Sequence, residues 1–275
     1  DDFVQDDDRA NNLGQFVWTG FDYLGEPSPY DTDAWPSHVS VFGIVDLASI
    51  PKDRYYLYRS QWNKDDHTLH ILPHWNWEGR EGETTPVYVY TSYPSAELFL
   101  NGKSLGVKKN SNDPKLRARI KWDNIAYAPG ALLAVARKNG KVVARHQIET
   151  TGEAVALKLV PDMETWHADG KDLMHVRIYA VDKKGRRVLN VKDAKAFDKL
   201  TFTVKGDANI VAVDNGNIAS DELHIGKTQL EKSIQRHLFQ GSALVILRAG
   251  DKPGKIELSV EGEKMKAKKL VLNTK

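Results

Sequence analysis

The feature that most constrains the fold is an alternation of side chains with a period of two, which recurs from about residue 67 onward. In the stretch Val87–Thr91, valine and threonine alternate with tyrosine. Asn-Gly pairs at 101–102 and 139–140 follow apolar stretches, and this pair favours a two-residue β-hairpin turn. Six or seven short strands in about 80 residues are typical of an immunoglobulin-like β-sandwich, which we place at residues 63–150.

One strand of this sandwich is expected to carry four apolar side chains on a single face. They are Leu116, Ala118, Ile120 and Trp122, which stand two residues apart. Two nearby tryptophans, Trp75 and Trp77, are expected to pack between the sandwich and the preceding domain or to contact substrate.

A second immunoglobulin-like sandwich is expected at residues 151–275, after a short linker at 151–153. Its candidate strands are Val155–Val160, Leu173–Asp182, Lys199–Val204, Ile210–Val213, Ala243–Arg248, Lys255–Val260 and Lys264–Leu272. The clearest turns are at 184–185 and 215–216. The lysine-rich run at 264–269 is interpreted as a polar strand edge that opposes edge-to-edge pairing.

Residues 1–62 have a different pattern, with one short apolar strand, one long loop and one helix. The strand is expected at Gln15–Trp18, and prolines 27, 29 and 36 lie in the loop. The helix is expected within 49–62, capped by Ser49 or Ile50, with Pro51 in its first turn. Because one β/α unit cannot bury a core of its own, this segment is interpreted as a fragment of a larger α/β domain.

The overall composition excludes several classes of protein. The chain has 275 residues, a net charge of +2 and no cysteine, so it forms no disulfide and has no thiolate chemistry. Its basic residues are spread along strands and turns, which argues against a nucleic-acid surface. We expect no membrane span, since the longest apolar runs are far too short, and the opening DDFVQDDDR is not a signal peptide.

The segment 14–30 combines aromatic and acidic side chains and is the candidate functional segment. Trp18, Asp22, Tyr23 and Glu26 are the candidate substrate-binding residues. Aromatic faces stack on pyranose rings and carboxylates accept hydrogen bonds from hydroxyl groups, so the segment is suited to a sugar cleft. The alternative is a buried strand followed by a polar turn.

Several longer motifs resemble the carboxyl-terminal part of glycoside hydrolase family 2 enzymes, of the Bacteroides-type β-galactosidase group. The motifs are FVWTGFDYLGEPSPY, FGIVDLASIPKDRYYLYRSQW, LHILPHWNW, VYVYTSYPSAELFLNGKSLG, and VAVDNGN followed by FQGSALVILRAG. The resemblance implies a mainly β chain, in which two immunoglobulin-like β-sandwiches follow a β/α fragment of a truncated (β/α)8 barrel. Residues 1–62 would hold the last β/α unit of that barrel.

The resemblance also implies a chemistry and a place for each candidate residue. The family hydrolyses glycosides with retention through two Glu residues on the fourth and seventh barrel strands, so we expect no catalytic residue in this chain. Trp18 would form a platform under the sugar, with core packing as the alternative. Asp22 and Glu26 would contact hydroxyl groups or shape the loop, and Tyr23 would contact substrate or pack. The two acids lie on one segment and are not interpreted as a catalytic pair.

The expected substrate is a β-galactoside or another neutral glycan. Family β-glucuronidases carry an Asn-x-Lys pair in the region that corresponds to Val39–Gly43, and this stretch contains neither residue. The other expected partners are the preceding domains of the same enzyme, with a homo-oligomer left open. No cofactor is expected, and the family implies a periplasmic, cell-surface or secreted location in a bacterium.

Two further motifs suggest metal binding and are interpreted otherwise. His67, His70 and His74 are not all on one face of a strand and lack a completing carboxylate, so they are not expected to bind a metal. The run Asp214–Asn217 is expected to form a turn with side-chain-to-backbone hydrogen bonds instead of a calcium loop.

The alternative for the whole chain is a non-catalytic module in which a sandwich binds polysaccharide or acts as a structural spacer.

Overall fold

The computed structural model describes residues 8–26, 38–111, 113, 116–189, 199–228 and 230–275. The chain is mainly β, with 48% of the described residues in strands. Helix α1 spans Asp53–Trp62. No helix among the described residues is long and apolar enough to cross a lipid bilayer.

The strands fall into two compact units. One unit contains the described residues up to Gly20 together with Pro51–Thr150, and the other contains Phe21–Ile50 together with Thr151–Lys275. Each unit includes one sandwich. The domain boundaries expected from the sequence stay a prediction, as does the assignment of residues 1–62 to a barrel.

Unit one holds a sandwich of seven strands. These are β3 (Leu69–Leu72), β4 (Thr84–Thr91), β5 (Ser95–Leu100), β6 (Lys103–Lys109), β7 (Arg119–Ala126), β8 (Ala131–Lys138) and β9 (Lys141–Glu149). One sheet has the order β3-β4-β7 and the other β6-β5-β8-β9. The expected hairpins are confirmed, because the pairs at 101–102 and 139–140 join β5 to β6 and β8 to β9.

The core of this sandwich follows the predicted alternation, with two corrections. Val87 and Val89 are fully buried, as the period-two pattern predicts. The expectation for Leu116 and Ala118 is wrong, because strand β7 begins only at Arg119. Hydrogen bonds from the N–H groups of 116 and 117 to the carbonyl of Asp113 form a turn there instead.

Trp75 lies inside this sandwich, and the expectation that it packs between domains is wrong. Its side chain is fully buried among the residues of the unit-one core. Its indole Nε1 donates to the carbonyl of Ala128 at 2.9 Å, and its ring packs edge-on against Tyr127. A hydrogen-bonded indole in a closed core leaves this tryptophan no surface for substrate.

Unit two holds the second sandwich and a small hairpin. Its strands are β1 (Tyr23–Leu24), β2 (Val39–Ser40), β10 (Ala156–Pro161), β11 (Leu173–Val181), β12 (Lys199–Lys205), β13 (Ala208–Asp214), β14 (Ser233–His237), β15 (Ser242–Ala249), β16 (Gly254–Glu261) and β17 (Lys268–Thr274). The two large sheets have the orders β10-β11-β15-β13 and β14-β12-β16-β17, and β1 pairs with β2.

Sequence patterns located seven of the eight sandwich strands of unit two. Strand β14 was missed, because one of its two inward positions is an arginine, Arg236, and the alternation is therefore hidden. The lysine-rich run lies mostly before strand β17, which begins at Lys268, and Met265 within the run is buried. Strand β17 does lie at a sheet edge, as expected for that run.

Two expectations for residues 1–62 are wrong. Gln15–Trp18 forms no strand, since no described strand pairs with it, and Phe16 is fully exposed. Helix α1 begins at Asp53 and is preceded by Lys52, which makes no side-chain cap. Ser49 lies in an earlier turn, with its N–H donating to the carbonyl of Asp46. The prolines at 27, 29 and 36 lie outside the described residues.

Candidate functional site

Trp18 presents an accessible ring. It lies in an irregular segment of unit one, and 72% of its surface is exposed. An exposed indole has the flat apolar face that a sugar platform needs. Its role as a platform stays a prediction.

The other three candidate residues lie on or beside the β1–β2 hairpin of unit two. Tyr23 pairs with Ser40 and Leu24 with Val39 in an antiparallel ladder. Backbone hydrogen bonds extend the hairpin on both sides, from Asp22 N to Val45 O at 3.0 Å and from Gly25 N to His38 O at 3.1 Å. The segments 21–25 and 38–45 are thus held together by the backbone, which fixes the positions of the side chains that they carry.

Asp22 is a buried acid with a structural partner. Only 5% of its surface is exposed, and its Oδ1 accepts a hydrogen bond from the N–H of Gly43 at 2.9 Å. A Cβ atom at Gly43 would overlap the backbone of residues 21 and 22 and lie 2.6 Å from the carbonyl oxygen of Val45. Only glycine fits this approach, so the geometry matches the loop-shaping role expected for Asp22. Its contact with substrate stays a prediction.

Tyr23 and Glu26 form a polar pair at the exposed end of the hairpin. The phenol of Tyr23 donates to Oε2 of Glu26 at 2.9 Å. Glu26 is exposed and Tyr23 is half-buried, so the pair offers a hydroxyl and a carboxylate to solvent. Both groups can exchange hydrogen bonds with a hydroxylated ligand. The structure therefore brings together two candidates that the sequence placed three residues apart, while their binding role stays a prediction.

Asp46 is a half-buried acid in unit two, and sequence reasoning missed it. Its Oδ1 accepts hydrogen bonds from the N–H groups of Ala48 and Ile50 at 2.9 and 2.8 Å. Burial raises the pKa of Asp46 to about 6, and the negative charge of Asp22 adds to the rise. The available signal was the order Asp-Leu-Ala-Ser-Ile, in which an acid can accept from following N–H groups as in an Asx turn.

Comparison with known protein families gives a separate match for each of the two sandwiches. A model described as glycoside hydrolase family 2 C-terminal domain 5 matches residues 157–271, and one described as a domain of unknown function matches residues 82–144. A β-galactosidase of Bacteroides ovatus is 41% identical over 261 residues, which cover 94% of this chain and 28% of the relative. This chain contains a C-terminal domain of glycoside hydrolase family 2.

Two other similar proteins are also glycosidases by name. A β-glucuronidase of Formosa agariphila is 32% identical over 168 residues, covering 60% of this chain and 16% of the relative. The crystal structure of a β-glycosidase from Bacteroides vulgatus superposes with a TM-score of 0.81 and 33% identity, over 96% of this chain and 31% of that one. The chain therefore spans less than a third of the length of these relatives.

Within the matched family 2 domain, the run Asp214–Asn217 forms the predicted turn. Oδ1 of Asp214 accepts from the N–H groups of Asn215 and Gly216, at 2.6 and 2.8 Å. Oδ1 of Asn215 accepts from Asn217 N at 3.0 Å, and Oδ1 of Asn217 accepts from Ala219 N at 3.1 Å. The acceptor oxygens are thus occupied by backbone donors, which is the side-chain-to-backbone pattern expected from the sequence.

The histidines near the start of the unit-one sandwich have separate partners. His70 Nε2 lies 2.7 Å from Oδ1 of Asp53, and Trp77 Nε1 donates to His74 at 3.2 Å. Burial lowers the pKa of His74, whereas His67 is exposed. Among the described residues, no group of three or more His, Asp or Glu is placed to hold a metal ion.

Proposed function

We propose that this chain is the C-terminal portion of a retaining β-galactosidase-like enzyme that hydrolyses terminal β-galactosides. The observation that carries the proposal is the 41% identity, over nearly the whole chain, to the β-galactosidase of Bacteroides ovatus. Trp18 would supply a stacking platform, and Tyr23 with Glu26 would contact sugar hydroxyls at the rim of the cleft. The reacting Glu pair would come from residues outside this chain. The full protein would act in the periplasm or at the surface of a bacterium.

The choice of a neutral sugar is supported by the stretch Val39–Gly43. It has no Asn-x-Lys pair to clamp a substrate carboxylate, and Gly43 is bonded to Asp22. The competing substrate is a β-glucuronide, because the β-glucuronidase of Formosa agariphila is 32% identical to this chain. A positively charged side chain is the usual partner of a uronate carboxylate, and this stretch offers none.

Two kinetic measurements test the proposal. The purified 275-residue chain should not hydrolyse 4-nitrophenyl β-galactoside, because it lacks the reacting Glu pair. The full-length protein should hydrolyse it with kcat/KM at least tenfold above that for 4-nitrophenyl β-glucuronide. Turnover by the isolated chain, free of host enzyme, would contradict the proposal that the reacting Glu pair lies outside this chain. A preference for the glucuronide would overturn the substrate assignment.

The second sandwich is proposed as a brace for the catalytic domain, in preference to a polysaccharide-binding module. Among its described residues no Trp, Tyr or Phe is exposed. Trp166 and Phe202 are fully buried, and the guanidinium of Arg187 lies over the ring of Tyr179 at 5.2 Å. Polysaccharide modules need an accessible aromatic surface. The 275-residue chain should therefore migrate without retardation in polysaccharide gels, and retardation on any glycan would favour the binding module.

A further inference from the structure

Arg236 is a fully buried cation that connects the two ends of one loop in unit two. None of its surface is exposed. Its Nη1 donates to the carbonyl of Glu222 at 2.7 Å, and its Nη2 donates to Oδ1 of Asn215 at 3.2 Å. Asn215 and Glu222 are the first and last residues of a segment that we call the 215–222 loop. A planar guanidinium presents several donors in a rigid fork, so one side chain holds both acceptors in a fixed geometry.

The charge of Arg236 is balanced by two carboxylates, one on Glu222 of the loop and one on Asp214, which directly precedes it. Oδ1 of Asp214 lies 3.6 Å from its Nη2, and Oε2 of Glu222 lies 3.7 Å from its Nε. The far side of each carboxylate contacts a histidine, His224 for Asp214 and His237 for Glu222. A buried charge without its partners is strongly destabilising, so Arg236 favours the conformation in which both ends of the loop remain in place.

The middle of the 215–222 loop contacts the segment that carries the candidate site. The N–H of His38 donates to the carbonyl of Ile218 at 3.2 Å. Gly216 adopts φ 76°, and a Cβ atom there would lie 2.7 Å from Oδ2 of Asp46. His38 precedes strand β2, and Asp46 follows Gly43. Strand β2 pairs with strand β1, and the N–H of Gly43 donates to Asp22. A continuous set of contacts therefore leads from Arg236 to the β1–β2 hairpin.

We propose that Arg236 is a positioning residue for the sugar site, acting through the 215–222 loop on the hairpin that bears Asp22, Tyr23 and Glu26. The proposal rests on the proposed function, since the hairpin must take part in binding sugar. Arg236 lies in the second sandwich and contacts none of the candidate site residues in the described structure. The proposal gives it a role in the active enzyme through the loop. Loosening the loop would let the hairpin move and weaken substrate binding, while the reacting Glu pair would be unaffected.

A matched pair of glycine variants tests the contact between loop and hairpin. Gly216 and Gly185 both adopt φ 76° in turns of unit two, but a Cβ atom at Gly185 would meet nothing within 4 Å. Gly216→Ala and Gly185→Ala therefore share the backbone strain, and only Gly216→Ala disturbs Asp46. In the 275-residue chain, Gly216→Ala should speed hydrogen exchange at the amides of His38 and Gly43 at least tenfold relative to Gly185→Ala. Equal exchange in both variants would overturn the contact.

Arg236→Met tests the arginine itself, with Arg248→Met on strand β15 as the control. Arg236→Met should speed exchange at the same two amides at least tenfold relative to Arg248→Met. If both variants keep these amides equally protected, Arg236 does not position the hairpin. If Arg236→Met does not fold, the conservative variant Arg236→Lys takes its place, and it should also speed exchange because an ammonium lacks the rigid fork of donors that holds both ends of the loop. Equal protection in Arg236→Lys and the control would count against the proposal in the same way.

Kinetics of the full-length protein separate positioning from the proposed function. Gly216→Ala should raise KM for 4-nitrophenyl β-galactoside at least threefold over Gly185→Ala, with kcat within twofold. Faster exchange with an unchanged KM would leave the coupling of loop and hairpin intact and overturn the hairpin's place in the sugar site. Unchanged exchange would overturn the positioning role whatever the kinetics.

Discussion

The N–H of Ile71 donates a hydrogen bond to Nδ1 of His146, at 3.1 Å, and this bond joins strands β3 and β9 in unit one. A ring nitrogen that accepts this bond must be unprotonated. Burial, together with the smaller effect of repulsion from the neighbouring His70, lowers the pKa of His146 to about 4. This bond therefore depends on a neutral imidazole in the folded protein.

Unit one should lose stability as the pH falls from about 6.5 toward 4. In that range the unfolded chain binds a proton at His146 that the folded chain does not bind, so the free energy of unfolding decreases as the pH falls, by up to about 3 kcal/mol. His146→Gln keeps an acceptor and should reduce this pH dependence, whereas His67→Gln at an exposed position should not. Urea unfolding at pH 7 and pH 4.5 gives the comparison. An equal pH effect in all three proteins would contradict the assignment.

Gly43→Ala should destabilise unit two by about 2 kcal/mol or more, because the added methyl group meets rigid backbone. Gly20→Ala is the control, since a Cβ atom at Gly20 would meet nothing within 4 Å. Chemical denaturation measures the loss of stability, and hydrogen exchange at Asp22 and Val45 shows whether it is local. A Gly43→Ala protein as stable as the control would show that the close approach of Asp22 and Gly43 is absent in solution.

Asp46 should titrate near pH 6 in the folded chain, well above the 3.8 of an ordinary aspartate. Because the folded chain holds this proton more tightly, stability from this group is present at low pH and is lost as the pH rises through about 6. Asp46→Asn should therefore unfold at a higher urea concentration than the native chain at pH 7.5, with little difference at pH 4. Carbon NMR of the Asp46 carboxyl group reads the pKa directly, and a value near 4 would contradict the burial.

Trp18→Ala should lower kcat/KM of the full-length enzyme for a β-galactoside at least tenfold, which corresponds to about 1.4 kcal/mol. The reason is the loss of a stacking surface for the sugar ring. Trp62→Ala is the control, since Trp62 is also exposed but packs on Tyr58 within helix α1. If the two variants have equal kinetics, Trp18 is not part of the sugar site.

The parts of the fold that local sequence determines were predictable. Strand β9 begins directly after the Asn-Gly pair at 139–140, as expected for a hairpin, because such a turn and a regular alternation fix a hairpin without reference to distant residues. No described strand pairs with Gln15–Trp18, where a strand was expected. A local sequence pattern does not supply the neighbouring strand with which a β-strand pairs. Strand β14 was hidden because the burial of Arg236 depends on carboxylates elsewhere in the sequence.

The candidate site shows the same limit. The contact of Tyr23 with Glu26 spans three residues, and the sequence suggests both as ligands for one sugar. The contact of Asp22 with Gly43 spans 21 residues, and nothing around either residue indicates the other. Asp46 was missed because its raised pKa arises from burial, which a loop sequence does not reveal.

The grouping of Phe21–Ile50 with the second sandwich has a consequence for how such proteins diverge. The whole first sandwich lies between the two parts in the sequence, so a genetic crossover near residue 150 would join the hairpin of one parent to the sandwich of another. Gly216 and Asp46 would then come from different parents, although a Cβ atom at Gly216 would lie only 2.7 Å from Oδ2 of Asp46. Segments 21–50 and 151–275 must therefore be inherited as a matched set, and family shuffling should exchange them together.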